Sequence, residues 1–379
     1  MTIKHFAPVA TAAFAVALLA AGTASAQQEL VYGNWTPPRE YQNVQVMPYM
    51  FAEIEKETKG AIKWKLIAGG QLADGKTTFT AVKDGLMQAG LGIATYVPNT
   101  VPSLYTIYST VILGHNDVVA ATGAAMEVFY LRCPSCLEDF RKINSVPLGG
   151  WTSSAYLLAC NQPVKSLADL KGKRVRATGG NAELFRVAGA VPVGATLVEA
   201  VGLLQRGGIE CQHGIADWLR TFGYADFAKY VTDYPLGLTG PAIGFVLNRD
   251  TWNKFTLEQK KIHIKWAAWM SAKLAIGNFI IANEEGLQTV IKDKGVQMVK
   301  VTNPAEWEAV LQNYKKLERD RNIATGKEFG VKDPAAIMDD YEKTIVKWRA
   351  LSKDIGRDID KFQAVLMREI YSKIDPEKL

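Results

Sequence analysis

Arg176 is the residue best placed to do chemistry. The run Ser166-Leu-Ala-Asp-Leu-Lys-Gly-Lys-Arg-Val-Arg176 reads as a short capped helix feeding a strand that ends on this arginine. Ser166 can accept from the first free amides, Asp169 three residues on reinforces the N-terminus, and Gly172 ends the turn. The strand delivers Arg176 to Ala-Thr-Gly-Gly. A planar guanidinium beside flexible glycine backbone suits two-pronged binding of a carboxylate or sulfonate.

Other candidate chemistry is weaker. Gly70-Gln-Leu-Ala-Asp-Gly75-Lys76-Thr77 has the phosphate-loop spacing between a strand and a helix. Asp74 would put negative charge inside that cradle, the preceding strand alternates, and no apolar strand ends in a magnesium-holding aspartate. Nucleotide hydrolysis is therefore set aside. His115, His213 and His263 show no metal-ligand spacing, there is no Gly-x-Ser-x-Gly elbow, and neither a metal nor another cofactor is expected. His213 follows a strand, where a cleft-facing role and a hydrogen-bonded structural role weigh equally. Cys133-Pro-Ser-Cys136 has redox spacing, but the Glu127-Val-Phe-Tyr-Leu-Arg132 before it reads as helix where a thioredoxin-like unit has a strand. This favours a local structural disulfide over an exported thiol-disulfide enzyme using the pair. Cys160 and Cys211 sit in strand-like runs and are either paired or free buried thiols.

The elements that must position these groups alternate. Leu30–Trp35 reads as a strand leaving Asn34 and Trp35 at its carboxyl end, where open α/β sheets place ligands. Met47, Met50, Phe51 and Ile54 then form one buried helical face, Ile62–Ile67 alternates as a strand, a helix follows near Thr77 to Gly85, and Gln88–Thr95 reads as another strand. This is βαβαβ order, hence α/β. A second block begins near Pro147, with strand-like Ala155–Asn161, the Arg176 strand, helices near 182–189 and 197–206, and a strand from Gly208 to Gln212. Thr256-Leu-Glu-Gln259 is a capping box opening a helix that continues to about Lys292, above about 50 Å long, which reads as a strut across two lobes. Asn303-Pro304 starts another helix by cap and first-turn proline. Two more follow between Asp333 and Ile374, with Met338, Tyr341, Ile345 and Trp348 on one face. That face packs either on the lobes or on a second subunit, which would make a homodimer. Trp35, Trp151, Tyr156 and Trp218 each fall near strand ends and could wall a ligand's carbon skeleton.

Met1 to Ala26 has a basic start at Lys4, an apolar run from Phe6 to Ala21, and Ala24-Ser25-Ala26. This is the pattern of a cleaved secretory signal peptide and predicts a periplasmic protein. Roughly 350 residues then remain, more than one core usually holds. The expected division is lobe I over 27–150 and 241–285, lobe II over 151–240 and 286–335, and a helical extension over 336–379. The net charge of +6 is spread among alternating charges and is too small to imply nucleic acid.

Together these residues resemble the solute receptors of tripartite ATP-independent periplasmic (TRAP) transporters, the DctP family, over essentially all of the chain after the signal. The resemblance rests on Asp169-Leu-Lys-Gly-Lys-Arg-Val-Arg176, Gly189-Ala-Val-Pro-Val193, Glu199, Leu204-Gln-Arg-Gly-Gly-Ile-Glu-Cys-Gln-His-Gly214, Gly69-Gly-Gln-Leu72 and Phe245-Val-Leu-Asn248. It implies a two-lobed α/β fold that makes no covalent bond, with Arg176 holding the acid group of a small organic acid and membrane permease subunits as partners. It also places Asn34, Trp35 and Asp74 near the pocket. Three departures stand out: Tyr156 where sialic-acid-binding relatives have a second arginine, Gly214 where an asparagine is usual, and Leu197 where an aromatic is usual. A pocket short of one cation and one amide favours a monocarboxylate or sulfonate with a ring or alkyl body. A dicarboxylate is the alternative if Arg206 or Arg220 turns inward, and a sensory partner in place of a transporter is another.

Overall fold

The computed structural model describes Thr2 and residues 28–113 and 116–379. The leader expected over residues 1–26 therefore lies, Thr2 apart, outside the described residues, as does His115. In chain order the strands are β1 (Gln28–Gly33), β2 (Ile62–Ile67), β3 (Ala89–Gly92), β4 (Ser145–Trp151), β5 (Leu157–Cys160), β6 (Arg174–Arg176), β7 (Val191–Val193), β8 (Cys211–Gly214), β9 (Tyr230–Thr232), β10 (Ala242–Asn248) and β11 (Gln297–Val299). One sheet has the order β2-β1-β3-β10-β4 and the other β11-β9-β5-β8-β6-β7. Helices cover both, giving the mixed α/β, two-sheet architecture that the alternating pattern predicts.

In the first sheet β1 pairs in parallel with β2 and β3, while β10 returns antiparallel between β3 and β4. The second block begins at β5, not near Pro147. Pro147 lies opposite Val246 in the ladder, because β10 needs an antiparallel partner on its outer edge and fully buried β4 supplies it. In the second sheet Cys160 faces Cys211 across the β5–β8 ladder and the two are joined, which decides between a pair and free thiols. Cys133 and Cys136 are also joined. Cys133 does stand at a helix start, Pro134–Lys142, but the residues before it are helical, Val128–Arg132.

The capping box at Thr256 forms with both bonds present. The strut it opens is not uniform. An α-helix, Leu257–Ala272, passes into a π-helical stretch, Lys273–Ala282, and back into an α-helix, Asn283–Lys294, which stops at left-handed Gly295. The helix Pro304–Glu328 starts on its proline, but the Asn303 side chain bonds that of Glu306 at 2.8 Å instead of capping the backbone. The last two helices, Pro334–Ile355 and Ile359–Glu369, dock on their own chain. Trp348 covers Gly123, where a Cβ would fall 2.0 Å from the ring, and its Nε1 donates to Glu127 at 2.8 Å. Met338, Tyr341, Ile345 and Trp348 are all buried in this way, so the apolar face is occupied within the chain. No helix of the described residues is long and apolar enough to cross a membrane.

Candidate ligand-binding site

A cavity of about 70 Å³ lies where strands of both sheets end, walled by residues just beyond β1, β3 and β6 and by the last residue of β4. Open α/β sheets bind ligands at such carboxyl ends. As the walls stand this is less than the roughly 150 Å³ that holds a benzene ring, so an organic acid enters only if they part.

Arg176 reaches this cavity as local structure dictates. The capping box is complete: Ser166 Oγ accepts from the Asp169 amide at 3.2 Å and Asp169 accepts from the Ser166 amide at 3.0 Å. Gly172 takes a positive φ of 75° and turns the chain into β6. In that three-residue strand Arg174 and Arg176 share a face. Arg174, at the outer end, pairs with Glu210. Arg176, at the inner end, is only 4% exposed. Its Nε donates to the Ala195 carbonyl at 2.9 Å and its Nη2 to the Tyr96 hydroxyl at 3.2 Å. It has no carboxylate partner among the described residues. Burial disfavours its charge, but the phenol oxygens of Tyr96, Tyr224, Tyr156 and Tyr108 outweigh this and keep its proton held above the ordinary value.

Four predicted aromatics, Trp35, Trp151, Tyr156 and Trp218, are brought to the cavity wall with Arg176. Trp35 is fixed by Nε1 donating to the Leu91 carbonyl at 3.1 Å and by edge contact with Tyr96. Trp218 packs edge-on against Tyr156. Gly214 explains this wall. A Cβ there would lie 2.5 Å from the Trp218 ring, so an asparagine at this position and the indole where it stands are mutually exclusive.

Three predicted residues are not in the cavity wall. Asn34 is buried, but its Oδ1 accepts from the Thr36 amide and hydroxyl and its Nδ2 donates to Asn43 at 2.8 Å, so it shapes the loop that carries Trp35. Asp74 is exposed. Its carboxylate folds back onto the amides of Lys76 and Thr77, both at 2.8 Å, and the Thr77 hydroxyl, so the phosphate-loop spacing closes on its own side chain. His213 is buried behind the wall, edge-on to Tyr156 and Phe185. Burial, helped by the Arg176 charge, pushes it down to about 3, so the ring is neutral. Arg220 is engaged by Asp217 at 2.8 Å, and neither it nor Arg206 reaches the cavity. No group of three or more His, Cys, Asp or Glu able to hold a metal occurs among the described residues.

Wall residues that sequence reasoning missed include Tyr96, Tyr108, Phe222, Glu40 and Asn278. Tyr96 lies just past β3, and the strand-end rule applied there would have found it. It is one of the contacts that join the halves, accepting from Arg176 and from the Leu197 amide, both at 3.2 Å. Glu40 and Asn278 come from a loop and from the π-helical stretch, which carry no comparable signal.

Two sheets, a strut between them and a small cavity at the strand ends define a solute-binding receptor. The chain belongs to the DctP family, bacterial extracellular solute-binding protein family 7, whose model matches residues 33–320. Among similar solved structures is a marine-metagenome TRAP solute-binding protein specific for aromatic acid ligands, in complex with 3-hydroxybenzoate, at 20% identity over 85% of this chain and 99% of that one, TM-score 0.72. A Bordetella bronchiseptica TRAP periplasmic solute-binding protein with bound (R)- and (S)-mandelate is 20% identical over 84% and 99%, TM-score 0.69. One from Xanthobacter autotrophicus with bound β-D-galacturonate is 19% identical over 84% and 99%, TM-score 0.67. Their ligands differ, and at these identities the likeness carries the fold and not the ligand.

Proposed function

We propose that this chain is the periplasmic receptor of a TRAP transporter, and that it captures a small organic acid with a single acid group, a monocarboxylate or sulfonate, and delivers it to membrane permease subunits. The observation that carries this reading is a buried guanidinium at a cavity wall with no carboxylate partner. An unpaired buried charge is costly, and a ligand's acid group supplies the missing partner. The ring-rich wall favours an aromatic or alkyl body. The dicarboxylate alternative is less favoured because Arg206 and Arg220 stay out of the cavity. The buried Cys133–Cys136 bridge, with residues 2% and 0% exposed, favours a structural role over thiol exchange.

On this reading the leader is cleaved after Ala26. Residues 27–150 and 241–285 move as one lobe and 151–240 and 286–335 as the other, with 336–379 carried on the first. Ligand stabilises the closed form by binding it more tightly than the open one. The test is a thermal-shift screen against monocarboxylates, aromatic acids, sulfonates, dicarboxylates and sugars. A ligand at 100 times its Kd adds about 2.7 kcal/mol. A shift from one family of acids, absent in Arg176→Ala, is the expected result; a response to sugars alone, or an undiminished shift in the variant, overturns it.

A further inference from the structure

Arg176 is not the only ionisable group at the cavity wall: Glu40 lines it too, as does Asn278. The Glu40 carboxyl is 5% exposed. Its Oε2 accepts from the Gln42 amide at 2.7 Å and its Oε1 from Asn278 Nδ2 at 3.3 Å. Among the described residues it makes no ion pair, with Arg176 or any other cation. Burial, with a smaller push from the Asp217 charge, raises this carboxyl to about 7, and Asp217 is itself engaged by Arg220. Asn278, 2% exposed, keeps its Oδ1 buried without a hydrogen-bond partner. One acceptor oxygen at this wall, Asn278 Oδ1, is thus left over beside Glu40. This arrangement is built, not incidental. Glu40 follows the loop fixed by Asn34, and the π-helical stretch brings Asn278 and Phe279, adjacent in sequence, to the same wall. Such wide turns gather at functional sites.

We propose that Glu40 and Asn278 form an acceptor pole, so that the ligand carries, besides the acid group held by Arg176, a hydrogen-bond donor: a hydroxyl or a protonated nitrogen. This rests on the receptor reading above and narrows its substrate class. A donor-free acid leaves the buried Asn278 amide oxygen unsatisfied, whereas a donor-bearing one can complete it or share the Glu40 carboxylate's remaining lone pairs. Sites built to hydrogen-bond a donor discriminate strongly against the analogue that lacks it.

The experiment is calorimetric titration of the purified protein at pH 8, above the Glu40 value of about 7, with two matched sets of acids: benzoate, 3-hydroxybenzoate and 3-(aminomethyl)benzoate, and valerate, 5-hydroxyvalerate and 5-aminovalerate. Each is measured on the wild type, Arg176→Ala, Glu40→Gln and Glu40→Met, with thermal unfolding as the folding control. In the wild type a donor-bearing acid should bind at least about tenfold more tightly than its parent, and Glu40→Met should close that gap. Glu40→Gln keeps an acceptor without the charge, so it should close the gap for an ammonium and leave much of it for a hydroxyl, which tells the two donors apart. Acids that bind through Arg176 with no preference for a donor, or a preference that survives Glu40→Met, overturn the acceptor pole and leave the receptor reading standing. If none of the six binds the wild type, the acceptor pole falls, while the receptor reading is decided separately by the thermal-shift screen, in which a response to sugars alone overturns it.

Discussion

Two loops of this chain look built for anions, and they have opposite fates. Gly70–Thr77 has the more famous spacing, yet its amides at Lys76 and Thr77 are filled by the loop's own Asp74. Burial would raise that carboxyl, but hydrogen bonds from Thr77 and Lys76, with the Lys76 charge, win and hold it below the ordinary value. The segment ending β6 has no such internal partner. Arg176 spends its donors on a carbonyl and a phenol, both neutral. A loop that carries its own anion is finished as a structure, and on the proposed function one that buries a cation beside neutral oxygens is finished by a ligand. The contrast is one of partners, not of motif.

Breaking the unfilled loop should have the largest effect. Arg176→Ala should weaken binding of the acid identified in the screen by about 2 to 5 kcal/mol, roughly 30- to 5,000-fold in Kd, by analogy with truncated buried charge pairs. Arg176→Lys should fail to restore it, because a point charge cannot reproduce a planar fork. Calorimetry on both variants checks this, and wild-type affinity in either would remove the distinction between the loops.

Glu318 sharpens the comparison by adding the reverse case, an acid held by amides but buried. It accepts from the Val111, Ile112 and Leu113 amides at 2.5, 2.8 and 3.1 Å. Here burial outweighs those amides and raises the carboxyl from the ordinary 4.5 to about 7. Between these values the folded state binds more protons at this site than the unfolded state, so the contribution is present at low pH and lost as pH rises through 7. His213 and His263, pushed down by burial to about 3 and about 4, act in the opposite sense, since they must stay neutral when folded. Their gain with rising pH masks the loss in the wild-type curve. The difference between Glu318→Gln and wild type isolates it: from pH 4 to pH 8 that difference should move in the variant's favour by about 3 kcal/mol. Denaturant melts across pH measure it, and a pH-independent difference would mean that Glu318 titrates in the folded protein at its unfolded-state value.

Legibility in the sequence followed how local each cause was. The capping boxes at Ser166 and Thr256, the Met47–Ile54 face and the βαβ order are written in neighbouring residues, and so was the strand that ends on Arg176. Partnership at a distance was not. Family position puts Asp74 near the pocket, whereas three local hydrogen bonds turn it away. Pro147 looked like the start of a second block because nothing nearby shows that β10 returns nearly a hundred residues later to claim β4. The acceptor pair of Glu40 and Asn278 joins residues 238 apart through a change of helix type, which no periodicity announces.

Tyr96→Phe tests the bridge between the halves at a more modest scale. Its hydroxyl accepts from Arg176 and from the Leu197 amide, so phenylalanine leaves two donors short of a partner in the closed form. A loss of about 1 to 3 kcal/mol is expected. It should appear as weaker acid binding and as a larger radius of gyration in solution scattering of the ligand-free variant, because the open form hydrates both donors. Unchanged scattering with unchanged affinity would show that closure does not depend on this oxygen.

The smallest effect should come from the filled loop. Asp74→Ala removes the acceptor for two amides and a hydroxyl at the entrance to the helix Thr78–Lys83, a loss of the kind that costs about 1 kcal/mol of stability when a cap is deleted. Acid affinity should stay within about twofold, since neither the carboxylate nor the amides it occupies borders the cavity. Lys76 keeps its exposed ion pair with Glu199 at 2.6 Å, and a half-exposed pair of this kind is worth at most about 1 kcal/mol. The two variants therefore separate on binding: Arg176→Ala loses most of it, and Asp74→Ala loses stability at nearly unchanged binding. If Asp74→Ala instead weakened the acid as strongly as Arg176→Ala does, the Gly70–Thr77 loop would have to reach the ligand in the bound state, and an anion carried within a loop would no longer mark it as purely structural.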